Sequence, residues 1–143
     1  MEINLRSGID KLLFGMQEED VTLLYGKPSR TYKDEDKNTI YLYNDKKLRL
    51  TFYADEDFRL GYIIASGKDL KLFGQPVIGN KWEALTKVLL QNNVKDFEQE
   101  NYDSVENFFN EANWAIFQVE YGEVIRVEVG ATINSNDEFD WKF

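Results

Sequence analysis

The chain has 143 residues, 43% hydrophobic and 15% aromatic, with 17 Lys and Arg against 26 Asp and Glu for a formal charge of −9. It contains no His and no Cys, which excludes Ser-His-Asp and Cys-His nucleophilic machinery, imidazole acid–base chemistry, Cys/His zinc sites and disulfides. The length suits one domain that buries about two-thirds of its unfolded surface, and the charge opposes sequence-independent binding to nucleic acid.

The opening Met1-Glu2-Ile3-Asn4-Leu5-Arg6 has no apolar block behind it. Leu12-Leu13-Phe14 and Ile63-Ile64-Ala65 fall far short of the about 18–20 apolar residues that span a bilayer. These features predict a cytoplasmic protein with no membrane partner. Only Pro28 and Pro76 occur and no Gly/Ser tether divides the chain. A single domain over 1–143 is expected, with internal repeats near 8–68 and 69–133 and a tail over 134–143.

A short helix is predicted over 17–25. Glu18, Glu19 and Asp20 favour the positive end of its dipole, Val21, Leu24 and Tyr25 form an apolar stripe, and Gly26 with Pro28 stops it. The period then changes to two. Ile40 and Leu42 alternate with Tyr41 and Tyr43, Leu48, Leu50 and Phe52 with Arg49, Thr51 and Tyr53, and Phe58, Leu60, Tyr62 and Ile64 with Arg59, Gly61 and Ile63. Polar turns at Asn44-Asp45-Lys46 and Ala54-Asp55-Glu56-Asp57 join these strands into a meander. A second helix is predicted over 80–92, with Asn80 as N-cap, Glu83 at capping-box spacing, and Trp82, Leu85, Val88 and Leu89 turned inward. Strands over 105–110, 114–121 and 123–129 follow. Phe139, Trp141 and Phe143 read as a last edge strand or as a tail docked on apolar surface. The expected fold class is α+β, two tandem helix–antiparallel β-meander repeats sharing one core, with the helices on one sheet face.

The repeat is suggested by laying Gly15-Met16-Gln17-Glu18-Glu19-Asp20-Val21-Thr22-Leu23-Leu24 over Gly79-Asn80-Lys81-Trp82-Glu83-Ala84-Leu85-Thr86-Lys87-Val88. The run Phe14 to Pro28 resembles the G-M-S/T-x-x-E-V-x-x-x-L-G-x-P helix opening of the SmpA/OmlA-type small lipoproteins. It is also similar to the tandem-repeat β-lactamase-inhibitor-protein fold. The likeness covers about 15 residues; Gln17 replaces the Ser/Thr, the second copy lacks Gly-x-Pro, and no lipid-accepting Cys is present. It implies a fold and a leaning toward protein binding, and carries over no functional residue. In general character the chain is also similar to small acidic bacterial immunity proteins.

Catalysis finds little support. The acidic groups Asp34-Glu35-Asp36, Asp55-Glu56-Asp57 and Asp137-Glu138 with Asp140 fall in predicted turns or near the C-terminus, and none has calcium-loop spacing. No Gly-rich phosphate cradle and no nucleophile elbow is present. No catalytic residue, cofactor or metal is therefore expected. If Ile40, Leu42, Leu48, Leu50 and Phe52 face the helices, the period of two turns Tyr41, Tyr43, Arg49, Thr51 and Tyr53 outward. The second half adds Trp114, Ile116, Gln118, Glu120, Arg126 and Glu128. Tyr, Trp and Arg dominate protein interfaces, so Tyr41, Tyr43, Arg49, Tyr53, Trp114, Gln118 and Arg126 are the candidate partner-binding residues. Cross-strand pairing that only stabilises the sheet explains the same residues. The reading is a non-enzymatic protein-binding module, an intracellular inhibitor or toxin-immunity protein being one form, with a basic protein partner. The alternative is a small-molecule or carbohydrate binder, which needs a pocket of about 300 Å³ or more. Oligomeric state stays open.

Overall fold

The computed structural model describes residues 1–143. A small antiparallel ribbon of β1 (Ile3–Asn4), β2 (Gly8–Ile9) and β3 (Leu12–Leu13) leads into α1 (Glu18–Tyr25). Then come β4 (Arg30–Lys33), β5 (Thr39–Tyr43), β6 (Leu48–Tyr53) and β7 (Arg59–Ala65). A second ribbon, β8 (Lys71–Leu72) and β9 (Gln75–Pro76), precedes α2 (Trp82–Gln91). The chain closes with β10 (Phe97–Tyr102), β11 (Val105–Asn110), β12 (Ala115–Glu120) and β13 (Glu123–Gly130). Eight strands form one antiparallel sheet in the order β10-β11-β12-β13-β7-β6-β5-β4, closed at its centre by the β13–β7 pair.

The expected fold class is corrected. The protein is mostly β, 43% strand against 15% helix, and is built on one continuous eight-stranded sheet with only two short helices rather than as an α+β tandem of helix-plus-meander repeats. Two strands of this sheet went unforeseen because they carry no apolar alternation. β10 reads Phe-Glu-Gln-Glu-Asn-Tyr and is exposed almost throughout, and β4 reads Arg-Thr-Tyr-Lys. Both are edge strands, where charge discourages unwanted pairing.

Both helices cover the same sheet face. Paired positions place Phe108, Phe117, Val127, Ala65, Leu48 and Tyr43 in one row across five strand boundaries, and partners in a ladder share a face. Trp82 of α2 stacks on Phe108 with ring centroids 4.5 Å apart and leans on Phe117 and Phe97, so it belongs to the core, as its helical position suggested. Under α1, Tyr43 meets Tyr25 edge to face at 5.8 Å. The core cluster of 27 buried residues includes Leu50, Phe52, Leu60, Ile63, Leu85 and Leu89. At the start of α1 the Asp20 carboxylate accepts the Gln17 N–H at 2.9 Å, half of a capping box. Asn80 does not cap α2; the helix begins at Trp82 after Lys81, and the Asn80 amide donates to the Pro76 carbonyl.

Tyr41 and Tyr43 also need correcting. Both are buried on the helix side, and Ile40 and Leu42 are the residues that face away. The cause is the parity of one turn. A three-residue Asn44-Asp45-Lys46 turn would pair Leu42 with Leu48. The actual turn also takes in Lys47, at φ 52°, so Tyr43 pairs with Leu48 and Tyr41 with Leu50. A one-residue change of register exchanges the two faces of a strand. Tyrosine is tolerated there because its hydroxyl reaches a polar rim: Tyr41 Oη donates to Glu18 Oε1 at 2.9 Å and Tyr43 Oη to the Gly26 carbonyl at 2.8 Å.

Residues 134–143 are a docked tail. The Asp140 amide donates to the Thr132 carbonyl and the Lys142 and Phe143 amides to that of Phe14. Phe139 and Trp141 stack at 4.8 Å against the body.

Candidate functional site: the helix-free face and its aromatic groove

No helix lies on the other side of the sheet. The central row there runs Phe109, Ile116, Glu128, Ile64, Arg49, Leu42 and Arg30. Beside it lie Gly130, Tyr62, Thr51, Ile40 and Tyr32 on one flank and Asn107, Gln118 and Arg126 on the other. Of the seven residues expected on this face, the structure places Arg49, Tyr53, Trp114, Gln118 and Arg126 on it. Tyr41 and Tyr43 lie beneath α1.

A polar patch crosses the centre. Glu128 accepts the Tyr62 hydroxyl at 2.6 Å and Arg126 Nη2 at 3.1 Å, and Gln118 donates to Asn107 Oδ1 at 3.2 Å. Burial, reinforced by the hydrogen bond to the Glu128 carboxylate, pushes the Tyr62 phenol far above its ordinary value, so it remains a protonated donor at any physiological pH. The Nε atoms of Arg49 and Arg126 are shut off from solvent without a hydrogen-bond partner, and Arg49 takes part in none of the five ion pairs. The face as a whole carries mixed charge: Arg30, Arg49 and Arg126 stand with Glu128 and Glu120, and with Glu98 and Glu100 on the β10 edge. The carboxylates that give the net charge stand largely elsewhere. In the Asp34 turn, for example, one carboxylate oxygen accepts the amides of Asp36 and Asn38 at 2.9 Å, a self-contained turn motif.

Two glycines shape the aromatic end of this face. A Cβ built on Gly61 would stand 2.1 Å from the Tyr53 ring, and one on Gly130 would stand 2.1 Å from Trp114 Cδ1. Each strand glycine is therefore a seat on which an aromatic ring lies flat against backbone. The β6–β7 bulge, where Thr51 pairs with Tyr62 but Phe52 with Leu60, sets Gly61 beneath Tyr53. Phe109 meets the Trp114 ring edge-on at 5.0 Å, and the tail brings Phe139 to 5.7 Å from Tyr53. Together Tyr53, Trp114 and Phe139, with Ala131 and Ile133, line an open groove of about 520 Å³. Its remaining walls come from two turns that include Glu111, Ala112, Thr132, Asn134 and Asp137. Asn110 and Asn134 brace these turns by accepting backbone amides, Asn110 from Asn113 and Asn134 from Asn136 and Glu138.

Alternation in the sequence puts Tyr53 and Trp114 among the outward residues but reveals neither the glycine seats nor Phe139. An isolated glycine within an alternating run, as at Gly61, is the signal that could have found the first. Nothing local placed Phe139 beside Tyr53, 86 positions earlier by residue number.

No family model and no curated protein matches the sequence. Solved structures share the fold. A DUF4309 family protein from Bacillus subtilis aligns over 87% of this chain and 84% of its own at 16% identity, with a TM-score of 0.55. An extracellular protein containing an SCP domain, from Bacillus anthracis, aligns over 82% of this chain and 43% of its own at 14% identity and a TM-score of 0.52. A cysteine-rich secretory protein from Staphylococcus aureus aligns over 82% and 44% at 16% identity, with a TM-score of 0.49. This chain spans less than half the length of the latter two. At these identities the likeness is one of fold. The cytoplasmic expectation is withdrawn, since the fold occurs in a protein described as extracellular and the opening residues carry no contrary weight.

Proposed function

We propose that this chain is a non-catalytic binding module that grips a basic protein partner with the helix-free face of its sheet, centred on the Tyr53–Trp114–Phe139 groove. The observation that carries the reading is the pair of glycine seats: Gly61 and Gly130 leave room for Tyr53 and Trp114 to stand as fixed walls of a solvent-open groove. Rigid aromatic side chains of this kind supply most of the affinity in protein interfaces. The absence of His and Cys, and the turn positions of the acidic clusters, favour binding over catalysis. No helix is long and apolar enough to cross a membrane. Because the shared fold makes up part of an extracellular protein, the partner is sought outside the cell.

The test is affinity capture from native medium and cell-surface extract, comparing the wild-type chain with a Tyr53→Ala/Trp114→Ala variant of unchanged melting profile. Loss of two central anchors should weaken capture by about 2 kcal/mol or more, roughly thirtyfold. Equal capture by both forms would overturn the reading. A second reading, carbohydrate binding, is favoured by one feature: the groove exceeds the minimum volume of a small-molecule site and combines aromatic rings with Asn134 and Thr132.

A further inference from the structure

The groove carries negative charge only, where the rest of the face is mixed. Glu111 and Asp137 line it, and no Lys or Arg does. Both carboxylate residues are exposed, and neither side chain forms an ion pair with any of the chain's own cations. Their turns are held in place from within by Asn110 and Asn134, so the two residues are kept at the groove while their carboxylates stay unpaired. The rings of Tyr53, Trp114 and Phe139 line the same groove.

Aromatic faces attract cations through their quadrupoles, Trp most strongly. Carboxylates at the rim add Coulomb attraction that is less screened in a groove than on open surface. A neutral apolar ligand would gain nothing from two unpaired carboxylates, and an anion would be repelled. Neighbouring cations line none of the groove: Arg49 and Arg126 lie toward the sheet centre, and Arg59, the cross-strand partner of Tyr53, pairs with Asp57 at 3.4 Å.

We infer that the groove is a receptor for a lysine or arginine side chain presented on an extended segment of the protein partner. The cationic head sits against the Trp114 and Tyr53 rings and is neutralised by Glu111 and Asp137. This inference rests on the protein-binding reading and specifies its chemistry: the acidic charge of the chain acts at the groove, while the mixed-charge remainder of the sheet face contacts other parts of the partner.

The experiment titrates the full-length chain, labelled with 5-fluorotryptophan, with three short N-acetylated Gly/Ser peptides. One carries a central arginine, one a lysine and one citrulline, the neutral isostere of arginine. The Trp114 fluorine resonance should shift saturably with the arginine and lysine peptides, and citrulline should bind about tenfold or more weakly. Glu111→Gln/Asp137→Asn should lower affinity for the charged peptides by a similar factor, and added salt should weaken binding in the wild type much more than in that variant. Equal binding of the citrulline peptide, or no effect of neutralising both carboxylates, would overturn the inference. So would saturation of the groove by a neutral oligosaccharide such as cellohexaose while the charged peptides leave Trp114 unmoved, which would assign it to carbohydrate. Capture of the native partner separates the two levels. Capture retained by Glu111→Gln/Asp137→Asn but lost by Tyr53→Ala/Trp114→Ala removes the cation receptor and keeps the surface. Capture retained by both removes the protein-binding reading itself.

Discussion

Leu50→Asp should unfold the protein under conditions in which Arg49→Met, one residue away, stays folded with nearly wild-type stability. Leu50 is fully buried between the sheet and the helices, paired with Tyr41 on β5 and Ile63 on β7. An aspartate there either buries a charge or draws water into the core, and the expected loss exceeds about 4 kcal/mol. For a chain of this size that lowers the melting temperature by roughly 10 °C or more. Arg49 points the other way, and its Nε is a shielded donor with no partner. Replacing it with a methionine of similar reach removes that unmet donor, and the change should lie within about 1 kcal/mol of zero. Thermal and urea denaturation followed by circular dichroism measure both. Similar losses from the two substitutions would mean that β6 does not present Leu50 and Arg49 to opposite faces.

Gly130→Val should evict Trp114 from its seat while leaving the sheet intact. Gly130 does not need glycine for its backbone, because its φ is not in the left-handed region; it needs the absence of a side chain. A Cβ there would stand 2.1 Å from Trp114 Cδ1 and 2.6 Å from Nε1, closer than any contact can be. The ring, already 42% exposed, can swing outward, so the stability cost should stay near 1–3 kcal/mol. The functional cost should be larger, because one wall of the groove goes with the ring. In a 5-fluorotryptophan-labelled protein only the Trp114 resonance should move strongly toward its solvent-exposed position, with Trp82 and Trp141 unaffected, and capture of the partner should fall as in the Tyr53→Ala/Trp114→Ala variant. An unmoved Trp114 resonance would contradict the seating geometry.

Parts of this architecture were legible before any coordinates. The helix over 17–25 could be read because its acidic first turn and its Gly-x-Pro stop are local signals. The second meander's faces could be read because β12 alternates strictly, with Ala115, Phe117 and Val119 buried and Ile116, Gln118 and Glu120 partly open. The hairpin at Asn44 was illegible in the respect that mattered. Turn length decides which face Tyr41 takes, and Ile40, Tyr41, Leu42 and Tyr43 are all apolar enough for either side. The merging of all eight strands into one sheet depends on β13 finding β7, a contact between Val127 and Ala65 that no local pattern announces. The polar edge strands β4 and β10 lacked a hydrophobic signature, so the sheet looked narrower and the helices more dominant than they are. Of the candidate surface, the arginines and Tyr53 could be placed from alternation. The groove could not, because Phe139 and Asp137 arrive through tail docking and Trp114 is positioned by a glycine on another strand.

The most direct measurement is the footprint of the captured partner on the isotope-labelled chain, read from amide and indole resonances. Shifts should concentrate at the Trp114 indole N–H and the amides of Gly61, Gly130 and Ala131, spreading to Arg49 and Gln118 and leaving the exposed helix residues Leu23 and Leu90 unchanged. A footprint confined to α1 and α2, with Trp114 and both glycines unperturbed, would place binding on the opposite side of the molecule and contradict the account.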